Sequence, residues 1–168
     1  VTKQHAMGRV SVELANVMPD QKTAYITDDG TNVGIFRFVA DTAADLSAGQ
    51  LFAAKWVQTS GEGAGSATIK WIDLGHADNA TIQSAIDKGT KFSDIFETAD
   101  FNADGSCPEG FLSSNAEGRA ECLRVKPGME VIASRLETRR YASMLGATTE
   151  FRKMEGSEIT SERLDYVL

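Results

Sequence analysis

The chain has 168 residues, with 17 lysines and arginines against 24 aspartates and glutamates, so its formal net charge is −7 and its pI is near 4.8. A protein that binds nucleic acid needs a basic face to neutralise phosphates, so this balance argues against nucleic acid as a partner. Hydrophobic residues make up 42% of the chain, as in a folded globular domain, and no apolar run reaches the roughly 20 residues that cross a bilayer, so no membrane span is predicted.

Residues 1–74 have the pattern of short β-strands joined by turns. Runs rich in β-branched and aromatic residues are separated by turn residues. Phe36 and Phe38 alternate with Arg37, which predicts a strand with one apolar and one more polar face. Four or five sequential strands with short links predict an antiparallel meander. The predicted strands cover residues 9–17, 22–27, 34–40, 51–57 and 67–74.

Helices are predicted only after residue 74. Asp78 or Asn79 can cap a short helix that ends at Gly89. A longer helix is predicted over residues 127–146, because methionine, isoleucine and leucine recur there at near-helical spacing, and these side chains are assigned to the core. Residues 97–121 are rich in Gly, Asp, Ser and Asn and are predicted to form a loop.

The two cysteines, Cys107 and Cys122, have 14 residues between them and do not form a metal-type pair. In an exported protein such a pair predicts a disulfide that closes a surface loop. Two unpaired thiols are the alternative. A catalytic thiol is not indicated, because no neighbouring histidine or cationic cluster would lower a thiol pKa.

A weak internal repeat links the two ends of the chain. Glu13 lies 12 residues before Tyr25, and Glu155 lies 11 residues before Tyr166. Repeated four-stranded sheets are typical of a β-propeller, in which the innermost strand of each blade lines the central channel. Both glutamates would then point toward one axis. Chance similarity is the alternative interpretation.

The predicted fold is therefore mainly β with helical insertions, a partial β-propeller of about one and a half blades. Residues 1–168 would be a single segment of a larger propeller domain. Within it, residues 1–74 form a blade meander, 75–146 a loop and helical insertion, and 147–168 the start of the next blade. The remaining blades would come from the rest of the protein or from other chains.

Acidic residues near the strand ends are candidate metal ligands. They are Glu13, Asp28, Asp29, Glu150 and Glu155. Carboxylates that converge on one axis repel each other unless a cation neutralises them, and oxygen ligands suit Ca²⁺, Mn²⁺, Mg²⁺ or Fe³⁺. For Asp28 and Asp29 the alternative is an ordinary solvated turn, because Asp-Asp-Gly is a common turn sequence.

A second candidate cation site resembles a calcium loop. Asp100, Asn102 and Asp104 supply oxygens at positions one, three and five, and Gly105 stands at position six. Position twelve is Phe111 rather than a bidentate glutamate, so the motif is incomplete. A turn without metal is the alternative.

Two cations just before Glu155 are candidate catalytic residues. Arg152 can meet an anionic oxygen bidentately, and Lys153 can do so as a point charge. A solvated pair of charges is the alternative.

Several stretches resemble the PhoX-type alkaline phosphatase family. They include Met7-Gly-Arg-Val-Ser-Val-Glu-Leu-Ala15, Tyr25-Ile-Thr-Asp-Asp-Gly30 and, as the most specific, Glu137-Thr-Arg-Arg-Tyr-Ala-Ser-Met-Leu-Gly-Ala-Thr-Thr-Glu-Phe-Arg-Lys-Met-Glu-Gly156. The resemblance covers roughly residues 4–168, which correspond to an internal segment of the family's longer domain.

The resemblance implies an exported β-propeller that hydrolyses phosphate monoesters with a calcium and iron centre in its channel. Glu13 and Glu155 fall on the family's channel-facing glutamates, so the resemblance makes them metal ligands. Lys153 replaces an arginine that contacts phosphate in many members, and Val12 replaces a histidine.

The segment by itself is expected to be inactive, because the other blades are needed to close the channel. The rival hypothesis is a non-catalytic propeller that binds calcium for rigidity and presents its loops to a partner.

Overall fold

The computed structural model describes residues 2–63, 65–154, 156–160 and 163–167. Antiparallel strands dominate it and helices are inserted between them, so the mainly β fold with helical insertions is confirmed. The strands are β1 (Val12–Val17), β2 (Thr23–Asp28), β3 (Thr31–Val33), β4 (Ile35–Thr42), β5 (Asp45–Ser60), β6 (Ser66–Asp78), β7 (Phe96–Ala99), β8 (Leu112–Ser114), β9 (Glu121–Val125), β10 (Phe151–Arg152), β11 (Gly156–Thr160) and β12 (Arg163–Val167). The helices are α1 (Asn79–Asp87), α2 (Phe92–Ile95), α3 (Glu130–Leu136) and α4 (Thr138–Met144), with short 3₁₀ turns at His5–Met7 and Ala116–Gly118.

The predicted meander is a five-stranded antiparallel sheet in the order β1-β2-β4-β5-β6. The prediction missed β3, which leaves this sheet and pairs with β10 near the end of the chain. β5 and β6 are also longer than predicted, with 16 and 13 residues. The propeller and the division into residues 1–74, 75–146 and 147–168 stay predictions.

One face of the sheet forms the first core. Phe36 and Phe38 are buried in it, as the alternation predicts. Gly49 lets β5 approach β4 closely, because a Cβ at this position would lie 2.6 Å from the Phe38 ring and 2.9 Å from the Cα of Ala40. On the opposite face, the Arg37 guanidinium lies 4.5 Å from the centroid of Phe52 and also stacks on Trp71.

A second core lies between the helices and a small sheet of order β7-β9-β8. The prediction of a loop over residues 97–121 is wrong for the last residues of β7 and for β8, which are strands, although most of the segment is irregular. Cys107 and Cys122 form a disulfide that joins this loop to β9, with their Cα atoms 5.5 Å apart. The free-thiol alternative is therefore wrong.

The short predicted helix is confirmed as α1. Asp78 caps it, since its carboxylate accepts a hydrogen bond of 2.8 Å from the Thr81 amide. Gly89 follows the helix with a φ of +71°. Among the described residues, no helix combines the length and the apolar composition needed to cross a membrane.

The long helix predicted over residues 127–146 is wrong as a single element, because it breaks at Glu137 into α3 and α4. Glu137 has φ −128° and ψ 46°. The Thr138 hydroxyl donates a 2.8 Å hydrogen bond to the Ser134 carbonyl, which is the acceptor that a continuous helix would offer to the Thr138 amide. The first two residues of the predicted span form a turn before α3.

Candidate functional site

Most of the predicted site residues come together where three segments meet. We call this place the strand junction, and it consists of residues 11–13, 28–31 and 152–153. β10 pairs antiparallel with β3 and places Arg152 opposite Thr31. The Lys153 amide donates a 2.8 Å hydrogen bond to the Gly30 carbonyl. The backbone thus connects residues more than 120 positions apart in the sequence.

Glu13 lies on a β-bulge of the outer strand of the sheet. Val12 pairs with Asp28 and Leu14 with Thr27, so the ladder shifts register across Glu13. Bulges of this kind re-aim a side chain and are frequent next to active sites. Glu13 is exposed, and within the described residues its carboxylate forms no hydrogen bond or ion pair. The side chain therefore offers oxygen atoms that no described group uses.

Asp28 has a different environment, because its side chain is completely buried at the end of β2. The Arg139 guanidinium donates to both carboxylate oxygens, at 2.7 Å from Nε and 2.5 Å from Nη2. The Ser11 amide donates a third hydrogen bond of 2.9 Å. The solvated-turn interpretation is wrong for Asp28, whose oxygens hold α4 and the start of β1 together.

Asp29 and Lys153 form an exposed ion pair across the junction, with 2.9 Å between the Lys153 Nζ and an Asp29 oxygen. The Asp29 amide donates to the Ser11 carbonyl at 2.7 Å. Lys153 has a φ of +43°, in the left-handed region. Arg152 is exposed, and its guanidinium has no hydrogen bond or ion pair within the described residues.

The arginines of α4, Arg139 and Arg140, were not predicted as site residues from the sequence. Arg139 binds Glu117 at 2.7 Å as well as Asp28. Hydrogen bonds to Asp28 raise the pKa of Arg139 above its usual value. Arg140 binds Glu121 and Glu137, each at 2.7 Å. The signal for this network was the Arg-Arg pair in the family-like segment 137–156.

The second candidate cation site lies apart from the junction, in the loop before β8. Asp104 accepts hydrogen bonds from the amide and the hydroxyl of Ser106, at 2.9 Å and 2.6 Å. These bonds hold the pKa of Asp104 below its usual range. The Asn102 amide group also donates to the Ser106 hydroxyl. Asp100 has no such partner among the described residues.

Among the described residues, no three or more His, Cys, Asp or Glu side chains are placed so that they could hold a metal ion. Glu155 lies outside the described residues. β11, which begins at Gly156, lies against β1, the strand that carries Glu13.

The family model of alkaline phosphatase PhoX matches residues 1–166. The chain belongs to this family. No curated protein and no solved structure matches the chain significantly. Membership of the PhoX alkaline phosphatase family indicates hydrolase chemistry on phosphate esters.

Proposed function

We propose that this chain is a segment of an exported, metal-dependent phosphomonoesterase with a β-propeller fold, and that the strand junction is its contribution to the active site. The observation that carries the proposal is the exposed Glu13 carboxylate on a bulge, which has no partner among the described residues, in a chain of the PhoX alkaline phosphatase family. The contact between β1 and β11 supports a site shared by Glu13 and Glu155.

The residues of the junction fit the metals that the family implies, as part of a larger ligand set. Carboxylate oxygens are suitable ligands for calcium and ferric iron, and those of Glu13 bind no other group in the part of the chain that the structure describes. We assign Glu13 and Glu155 as metal ligands, with further ligands supplied by other parts of the protein. When bound, such metals stabilise charge on the phosphate oxygens and lower the pKa of a bound water.

Cationic residues of the junction would hold the phosphate group. Arg152 is exposed and its planar guanidinium can bind two phosphate oxygens at once. Lys153 adds a point charge that Asp29 holds in place through the 2.9 Å ion pair. We therefore assign Arg152 as the main phosphate contact and Lys153 as a second one.

Asp28 takes a positioning role in this proposal. Its carboxylate is engaged by Arg139 and the Ser11 amide, and Ser11 begins the segment that leads to the bulge at Glu13. The ion pair thus fixes the backbone that presents Glu13. Asp29 supports Lys153, and the loop of Asp100, Asn102 and Asp104 is a separate candidate calcium site.

Export to the periplasm or beyond is supported by the disulfide between Cys107 and Cys122. Disulfides persist in oxidising compartments and are rare in the cytosol.

The proposal is tested by the release of p-nitrophenol from p-nitrophenyl phosphate by the full-length protein with calcium and iron. We expect Glu13→Ala and Glu155→Ala each to reduce kcat at least about 100-fold, as the removal of a group that supports transition-state charge does. Glu109→Ala is the matched control, because Glu109 is exposed and outside the junction. Turnover that is unchanged in both variants would contradict the proposal. Bound calcium without iron and without turnover would favour the non-catalytic calcium-binding propeller instead.

A further inference from the structure

A groove of about 680 Å³ lies between the N-terminal residues, β1 and the segment that joins α1 to α2. Its apolar lining includes Val12 of β1, Ile86 of α1 and Phe92 of α2. Val12 is 54% exposed and Ile86 is 39% exposed, although large apolar side chains are normally buried. A concave apolar surface of this volume is typical of a small-molecule site.

The charged residues of the groove are mostly cationic. Among the described residues that line it, four are cationic, namely Lys3, Arg9, Lys91 and Arg135, and Glu137 is the only acidic one. Within the described residues, the ammonium groups of Lys3 and Lys91 form no hydrogen bond or ion pair. The groove is therefore locally positive in a chain with a net charge of −7, and its surface is complementary to an anion with an apolar body.

The groove also adjoins the strand junction. Val12 lines the groove and directly precedes Glu13, and both residues lie at the β-bulge of β1. A ligand whose apolar part contacts Val12 would thus lie next to the strand position that we assign to the metal site.

We propose that this groove binds the alcohol part of the substrate, so that the preferred substrates are phosphate monoesters of apolar or aromatic alcohols. The inference rests on the proposed function, because it assigns the phosphate end of the ligand to the strand junction. The apolar lining contacts the carbon atoms of the alcohol, and Lys3 and Lys91 contribute a positive potential that attracts the dianionic ligand to this side of the molecule.

Binding of two non-hydrolysable phosphonates tests the inference without any need for turnover. Benzylphosphonate carries an apolar body and methylphosphonate lacks one, and isothermal titration calorimetry on the full-length protein gives the ratio of their Kd values. We expect benzylphosphonate to bind at least about tenfold tighter, since burial of a ring outweighs that of a methyl group. Ile86→Gln removes apolar contact without adding charge and should reduce this ratio to about threefold or less. Equal affinities in the unmodified protein would overturn the inference.

Two further variants complete the experiment. Val131→Gln is the matched control, because Val131 is 38% exposed on α3 and does not line the groove. It should leave the ratio unchanged, and an effect equal to that of Ile86→Gln would overturn the inference. Lys91→Gln should raise the Kd of both phosphonates by a similar factor of about three. A loss of affinity for only one of them would overturn the electrostatic role of Lys91.

The proposed function and the groove can fail separately. Suppose that p-nitrophenyl phosphate is not hydrolysed, but benzylphosphonate binds at least about tenfold tighter than methylphosphonate and Ile86→Gln reduces this difference. The proposed function then fails and the binding site stands. If p-nitrophenyl phosphate and glycerol 2-phosphate are hydrolysed with equal kcat/KM and the phosphonates bind equally, the phosphatase stands and the groove assignment fails.

Discussion

Replacing Arg135 is expected to destabilise the protein strongly, because this buried guanidinium connects α3 to the N-terminal 3₁₀ turn, to β5 and to β6. Arg135 is 1% exposed. It donates hydrogen bonds of 2.6 Å to the Ala6 carbonyl, 2.7 Å to the Gly75 carbonyl and 2.6 Å to the Ser134 hydroxyl. Gly75 lies where the β5–β6 ladder shifts register, so its carbonyl lacks a regular strand partner. Among the described residues, no carboxylate binds Arg135 directly.

The magnitude follows from two opposing contributions. Burial lowers the pKa of Arg135 to about 10, which corresponds to a cost of about 3 kcal/mol for keeping it charged. Each of the three short hydrogen bonds from this charged donor contributes about 1.5–3 kcal/mol. Arg135→Met removes both contributions, so the free energy of unfolding should fall by about 2–5 kcal/mol.

Urea denaturation followed by circular dichroism measures this loss. The control is Arg119→Met, because Arg119 is exposed and its guanidinium forms no hydrogen bond or ion pair within the described residues. This variant should change stability by less than about 0.5 kcal/mol. Arg135→Lys keeps a cation but lacks the planar fork, so it should restore only part of the loss. A stability of Arg135→Met equal to that of the unmodified protein would refute the reasoning.

Four other changes have definite expected outcomes. Asp28→Asn should lower stability by about 1.5–3 kcal/mol in urea denaturation, since the partly buried Arg139 then keeps only the Glu117 carboxylate, and an unchanged midpoint would contradict this. Replacing both cysteines of the disulfide with serine should lower the free energy of unfolding by about 3 kcal/mol, for a loop with 14 residues between the cysteines. A double variant as stable as the unmodified protein would contradict this. Gly49→Ala should cost about 1–3 kcal/mol through overpacking against Phe38, measured as a lower thermal midpoint, and an unchanged midpoint would be inconsistent with that contact. Burial raises the pKa of Tyr141 above 10, so the unfolded state ionises first and stability should fall as the pH rises through 10. Tyr141→Phe should lose less stability over that range in denaturation at several pH values, and an identical decline would contradict the assignment.

The sequence predicted the elements whose signals are local. The alternation around Phe36 and Phe38 predicts a strand with one buried face, and the Asp78 cap predicts the start of α1. The disulfide was left open by the residues alone, because its assignment depends on the compartment. The correct predictions of this strand and this helix start concern side chains whose neighbours lie within a few positions or on the next strand.

The missed features depend on contacts between distant residues. Thr138 ends α3 by binding the Ser134 carbonyl, and nothing in the apolar spacing of the segment reveals that bond. The sequence around Asp28 is that of an ordinary acidic turn. In the structure, Arg139, which lies 111 positions later, donates hydrogen bonds to the Asp28 carboxylate. Similarly, β3 has only three residues and is held by β10 from the other end of the chain. Pairing at this range cannot be read from propensity.

The central claim is that the Glu13 carboxylate belongs to a metal centre of a phosphatase. Inductively coupled plasma mass spectrometry of the purified full-length protein measures bound calcium and iron per chain most directly. We expect Glu13→Gln to lose at least one metal ion relative to the unmodified protein while circular dichroism shows the same fold, and Glu109→Gln to keep the full complement. An unchanged metal content in Glu13→Gln would contradict the account.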